Sequence, residues 1–135
     1  MSPSTPHNIP IAEEDSILLV RQYCRNLARQ VGFGLVDQTR ITTVASELAR
    51  NIFRYAGTGQ VTISVVTGAA NQKGLEMAFT DDGPGIADID QAMTPGFSTS
   101  GGLGRGLSGS KRLMDEFEIK SSPGQGTCVV VRKWL

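Results

Sequence analysis

The chain has 135 residues, enough for one domain around a single core. Thirteen basic residues balance thirteen acidic ones, so no bulk attraction to nucleic acid or to an anionic membrane is expected. No apolar run approaches the roughly 20 residues that span a bilayer, and "MSPSTPHNIP" has neither the basic nor the apolar region of a signal peptide.

A cytoplasmic protein is therefore expected, with residues 1–7 as a flexible arm. His7, the only histidine, lies in that proline-rich start, which argues against a catalytic triad, a His-ligated metal or an autophosphorylated histidine. Cys24 and Cys128 have no metal-like spacing and read as buried thiols in a reducing compartment.

After an extended stretch at about residues 8–13, Ile17, Val20, Cys24, Leu27 and Val31 recur at helical spacing, with Gly32 as a stop. A second helix is predicted from about Asp37 to Tyr55, with Ile41, Val44, Ala45, Leu48 and Ile52 on one face and Gly57 closing it. "QVTISVVT" and "LEMAFTD" alternate apolar and polar residues, as half-buried strands do, around the hairpin loop "GAANQKG". Residues 81–101 form a loop punctuated by glycine and proline. A third helix is predicted from about Gly104 to Glu116, where Leu103, Leu107, Ser110, Met114 and Phe117 keep helical spacing. The strands "FEIKS" and "TCVVVRKW" close the chain around the turn "SPGQG". This order predicts one α+β domain over residues 1–135, a two-layer sandwich with helices on one face of a mixed, mainly antiparallel sheet.

The stretch "FSTSGGLGRGLSGSKRL" raises the question of a phosphate site. Gly104, Gly106 and Gly109 spell G-x-G-x-x-G, but the dinucleotide fingerprint joins a strand to a helix and needs an acidic residue ~20 positions later. Here a long loop precedes the glycines and a hairpin follows. A P-loop also fails, because Ser110 separates Gly109 from Lys111. What remains is a glycine-rich entry to a helix N-terminus, where backbone amides and the helix dipole suit a phosphate. A loop capped into a helix accounts for the same residues.

Two further features bear on that choice. Glu47 and Asn51 lie four apart on the second helix and stack on one side of it. With Val44 at zero, Asn51 falls near about −20° and Glu47 near about −60°, placing Asn51 at the edge of the buried face and Glu47 at its rim. An ordinary boundary pair would have Asn51 bonded to backbone and Glu47 paired with Arg50 or Arg54. A functional pair would put the Asn51 oxygen on Mg²⁺ and leave Glu47 as a base one turn away. In "TDDGPGI", alternation places Asp81 inward with Phe79, while Asp82 faces out. An inward carboxylate at a strand end needs donors, and the exocyclic amine of a base would be one. A plain turn explains Asp82 and the glycines.

E-x-x-x-N on a helix, D-x-G-x-G after a strand, and G-x-G-x-G (Gly102, Gly104, Gly106) opening a later helix together resemble the N, G1 and G2 boxes of the GHKL superfamily, with its Bergerat ATP-binding fold. "VGFGLVDQTRITTVASELARNIFRYAGTGQV", "DDGPGI", "FSTSGGLGRGLSGSKRLMDEF" and the "GQGT…KWL" ending are most similar to the RsbT type of stressosome switch serine/threonine-protein kinase. That resemblance covers all but the first ten or so residues.

The resemblance implies that Asp81 accepts from the adenine amino group and that Thr127 supports this contact through water. It implies that Gly83, Gly85 and Ile86 adjoin ATP in the first glycine box, and that Asn51 coordinates Mg²⁺ bridging the phosphates. It further implies that the backbone of Gly102, Leu103, Gly104, Arg105, Gly106 and Leu107 holds those phosphates, with residues 87–101 as a lid. The Arg105 side chain would lie over the phosphates or in solvent. Glu47 would orient or deprotonate an acceptor serine or threonine hydroxyl.

The function so implied is a kinase that phosphorylates STAS-domain scaffold or antagonist proteins and, when released, activates an effector such as a PP2C-type phosphatase. The alternatives are an anti-sigma factor kinase that sequesters a sigma factor, and a non-catalytic ATP-sensing adaptor. "NIFRYAGTG" lacks the "HAY"-like ending of the former, and Glu47 is superfluous in the latter. A sensor histidine kinase is not expected, since its dimerisation helices and substrate histidine are missing from the sequence.

Overall fold

The computed structural model describes residues 6–86, Met93 and 103–135, the side chains of 103–106 excepted. In chain order the elements are β1 (His7–Ile11), α1 (Glu14–Val31), α2 (Leu35–Tyr55), β2 (Gly59–Thr67), β3 (Lys73–Asp81), α3 (Leu103–Leu113), β4 (Glu116–Ser121) and β5 (Thr127–Trp134). A 3-10 turn at Ala69–Asn71 joins β2 to β3. The sheet order is β1-β2-β3-β5-β4, and every pairing among the described residues is antiparallel. This is the α+β sandwich expected, with the helices on one face.

The extended stretch is part of the sheet, and His7, expected in the flexible arm, begins its strand. Ile9 and Ile11 are buried, and β1 pairs with β2 from His7↔Ile63 to Ile11↔Gly59 as an edge strand, where Pro10 is tolerated. α1 starts at a capping box between Glu13 and Ser16 and ends at Gly32, whose φ of 115° is left-handed. α2 begins two residues before the expected Asp37, with Gln38 Nε2 donating to the Phe33 carbonyl at 2.8 Å. α3 stops at Leu113, short of Glu116, because β5 claims the residues that follow. Asp115 meets Lys133 Nζ at 3.2 Å and the Trp134 N–H at 2.7 Å, while Glu116 meets Arg132 at 3.1 Å.

The core lies between the layers. Val20, Cys24 and Ala28 of α1 and Ile41, Val44, Ala45 and Leu48 of α2 pack on Val61, Ile63, Leu75, Met77, Phe79, Val129 and Val131 of the sheet. Cys24 is the buried thiol expected; its Sγ lies 3.4 Å from Met77 Sδ, and burial pushes its pKa up to about 12. Cys128 differs from expectation, being only half-buried, because β5 alternation turns it to the face opposite the helices. On that face Arg132 bridges Glu76 at 2.7 Å and Glu116 at 3.1 Å.

Candidate functional site

Strand register builds the polar end of the site. The pairings Gly59↔Asp81, Asp81↔Thr127 and Thr127↔Ser121 align one row across β2, β3, β5 and β4. The row ends on the helix side of the sheet, as the inward phase of Phe79 and Val129 requires.

Two glycines bring the turn after β3 and the turn before β5 together. Gly85 has φ +77°, and a Cβ on it would strike the Ser122 carbonyl; Gly126 has φ +75°, and a Cβ would strike the Asp81 carbonyl. Both positions therefore require glycine for conformation and for close approach. Gly124 N–H donates to the Pro84 carbonyl at 2.8 Å, locking the two turns.

The first glycine box also touches α2. A Cβ on Gly83 would lie 2.7 Å from Ala56 Cβ, so the D-x-G turn packs directly on the end of the helix that carries Asn51. Between them opens a cavity of about 250 Å³. Its apolar walls are Leu48, Ile52, Phe79, Ile86, Leu107 and Val129, with Tyr55, Pro84 and Gly85 beside them; its polar side chains also include Asn51, Asp81 and Thr127. A mostly apolar cleft with a few convergent polar groups is the form that small-molecule sites take.

Asp81 is acceptor-rich and partly desolvated. Gly83 N–H donates to its Oδ1 at 2.9 Å, and the Thr127 backbone N–H supports the carboxylate as well. Burial nevertheless raises its pKa above the ordinary carboxylate value, against those two hydrogen bonds and with a smaller push from Asp82. Asn51 Nδ2 is fully buried with no hydrogen-bond partner among the described residues. A buried amide left unpaired is costly in a protein alone, and here it lines the cavity, where a hydrogen-bond acceptor on a bound molecule would partner it.

Six of the expected contact residues thus meet in one cavity: Asn51, Asp81, Gly85, Ile86, Leu107 and Thr127. Gly83 stands behind Asp81 as its donor. Glu47 is not among the lining residues; its carboxylate is ion-paired with Arg50 at 2.9 Å on the helix rim. Leu103, Gly104, Arg105 and Gly106 form the first turn of α3. Gly102 and the expected lid at 87–101, Met93 apart, lie outside the described residues. No group of three or more His, Cys, Asp or Glu side chains suited to a metal occurs among the described residues. Nor does a helix among them have the length and apolarity to cross a membrane.

Sequence reasoning missed Ser121 and, Ile86 and Leu107 apart, the apolar walls. Ser121 accepts the Ile86 N–H at 2.8 Å, donates to the Gly126 carbonyl at 2.8 Å and lies 2.9 Å from Thr127 Oγ1. A signal was present, because alternation in "FEIKS" places Ser121 on the inward face with Phe117 and Ile119.

Residues 36–135 match the family described as histidine kinase-, DNA gyrase B- and HSP90-like ATPases. The chain is 54% identical over 127 residues to the serine/threonine-protein kinase RsbT of Bacillus subtilis, covering 94% of this chain and 95% of RsbT. It is 31% identical over 98 residues to the anti-sigma F factor of Caldanaerobacter subterraneus, covering 70% of this chain and 68% of that protein. In fold it resembles the crystal structure of the RsbU and RsbW domains of a Mycobacterium tuberculosis protein, with a TM-score of 0.63 and 15% identity. That match covers 98% of this chain and 33% of the larger structure. The matched family and the site the fold assembles agree: this chain belongs to the histidine kinase-, DNA gyrase B- and HSP90-like ATPase family.

Proposed function

We infer that the chain is an ATP-dependent serine/threonine-protein kinase of a bacterial partner-switching pathway. Its substrates, in this reading, are STAS-domain scaffold or antagonist proteins in the cytoplasm. Once released from them it activates a downstream effector such as a PP2C-type phosphatase. The observation that carries the reading is the meeting of Asn51, Asp81 and Thr127 in one cavity of a chain 54% identical to RsbT. The anti-sigma alternative rests on more distant relatives, at 31% identity over 98 residues.

The site's residues divide the work. Leu48, Ile52, Phe79 and Val129 hold a flat ring by apolar contact, and Asp81 accepts from the ring's amino group. The Asn51 side-chain oxygen would hold Mg²⁺, an ion that takes few protein oxygens and mostly phosphate and water, and the unpartnered Nδ2 would donate to a phosphate oxygen or water beside it. When bound, Mg-ATP supplies the phosphoryl group. The turn at Leu103–Gly106 brings backbone N–H groups at a helix N-terminus, which favour anions. Glu47, one helical turn from Asn51 and about 6 Å along the axis, leaves Arg50 to orient or deprotonate the acceptor hydroxyl. Positioning and charge stabilisation are the main tasks of a protein that transfers phosphoryl groups.

Incubation with labelled ATP, Mg²⁺ and candidate STAS-domain proteins tests this directly. Label on a serine or threonine of the STAS protein is the expected result. Tight ATP binding without transfer to any of them makes the chain an adaptor, and capture of a sigma factor makes it an anti-sigma kinase.

A further inference from the structure

The polar end of the cavity is organised by a side chain that does not itself line it. Ser121 closes β4 and makes the three contacts given above, to the Ile86 N–H, the Gly126 carbonyl and Thr127 Oγ1. A serine hydroxyl has one hydrogen and two lone pairs. The Gly126 carbonyl can only accept, so Ser121 gives its hydrogen there, and the hydrogen in the Ser121–Thr127 contact belongs to Thr127. No other assignment satisfies all three contacts. The Thr127 hydroxyl is therefore committed as a donor to Ser121 and keeps only lone pairs for the cavity it lines. Beside it in the same strand row, the ionised Asp81 carboxylate also has only acceptors.

We propose that Ser121 is a positioning residue for base selection: by holding the Thr127 hydroxyl as an acceptor, it makes the Asp81–Thr127 edge of the site acceptor-only. The proposal rests on the reading of the cavity as the base site of ATP. Adenine carries an amino donor where guanine carries the O6 acceptor. With the base placed so that its 6-position meets this edge, an acceptor-only edge receives the first and sets lone pairs against the second. Discrimination of this kind is strong because the wrong base leaves buried polar groups unpaired. Through the Ile86 N–H, Ser121 also ties the end of the D-x-G-x-G turn to the sheet, so that edge and turn move as one piece.

Calorimetric titration of ATP and GTP with Mg²⁺, on the parent chain and on Ser121→Ala, reads the effect. In the parent, ATP binds more tightly than GTP. In Ser121→Ala the Thr127 hydroxyl is released to rotate and donate to O6, and the ATP/GTP affinity ratio falls about tenfold, the worth of one hydrogen bond. Ser121→Thr, which keeps the hydroxyl, restores the parent ratio. In a Thr127→Val background, adding Ser121→Ala shifts the ratio no further. Should Ser121→Ala fail to fold, Ser121→Cys, similar in size and a much weaker donor, is read by the same criteria. An equal loss of affinity for both nucleotides, or a ratio shift that persists without the Thr127 hydroxyl, overturns the proposal. A parent chain that binds neither nucleotide overturns the base-site reading itself, and this proposal with it.

Discussion

The two carboxylates assigned to the site, Asp81 and Glu47, sit in opposite surroundings. Asp81 ends a central strand, takes a hydrogen bond from Gly83 at 2.9 Å and is desolvated enough to raise its pKa. Glu47 stands on the rim of α2 with a side chain 45% exposed, and its bond is to a half-exposed partner of the same helix, Arg50, at 2.9 Å. In the proposed reading the sheet supplies a preformed recognition end, with the Asp81 carboxylate held by the backbone N–H groups of Gly83 and Thr127. In the same reading the helix supplies a transfer end, whose carboxylate is solvated and paired with Arg50. Such a division suits an enzyme that holds its nucleotide first and completes its chemistry only when a partner's hydroxyl arrives.

Glu47→Gln is the strongest way to break that contrast. If Glu47 is the base, phosphoryl transfer to a STAS-domain protein falls by roughly 10²- to 10⁴-fold, while ATP binding by titration stays within about twofold of the parent. Unchanged transfer would remove Glu47 from the chemistry and leave the cavity as the whole of the site.

Asp81→Asn probes the other end with a smaller effect. Loss of a charge-assisted acceptor lowers ATP affinity by about 10- to 100-fold. Stability responds in the opposite sense, because burial raises the Asp81 pKa above its ordinary 3.8. Between 3.8 and that raised value the folded chain keeps a proton that the unfolded chain has lost, so Asp81 makes stability fall as pH rises through the window. Asparagine never ionises and lacks this fall. Thermal melts across mildly acidic pH should therefore show Asp81→Asn gaining on the parent as pH increases, even as it loses ATP. A parallel pH dependence in the two proteins would mean that the carboxylate is not strained by its site.

How much of this was legible in the sequence follows from what each signal encodes. Helical spacing located α1 and α2, and the phase of Asn51 on α2 placed it at the edge of the buried face, where its amide is found. Alternation in β3 turned Asp81 inward with Phe79. Boundaries were less legible where tertiary contacts decide them: α3 ends early because Asp115 and Glu116 are bound to residues of β5. β1 reads as a mere arm because five residues containing a proline carry too little pattern, and only pairing with β2 makes them a strand. The Ser121–Thr127 contact depends on the register of β4 against β5, which alternation does not specify. Likewise, periodicity named Leu48, Ile52 and Phe79 as inward without telling which inward residues would surround a space. The sequence left Arg50 and Arg54 open as partners of Glu47, and the structure pairs it with Arg50, three residues on, at 2.9 Å.

That pair offers the finest test. The Arg50 and Glu47 side chains are 41% and 45% exposed, so their bond is solvated and screened. Exposed pairs of this kind contribute about 0.5 kcal/mol, and Arg50→Ala should change unfolding stability by no more than that. Its kinetic effect separates two roles for the arginine. If Arg50 merely occupies Glu47 until the acceptor arrives, its removal leaves ATP affinity alone and raises transfer by at most about threefold, the Boltzmann equivalent of so weak a pair. Raising salt should then mimic the substitution, because screening loosens the same bond. If Arg50 instead holds Glu47 in its working position, transfer falls more than tenfold, with ATP affinity again unchanged. The second outcome would make the helix rim as preformed as the strand row behind Asp81, and the division between a fixed recognition end and an adjustable transfer end would no longer hold.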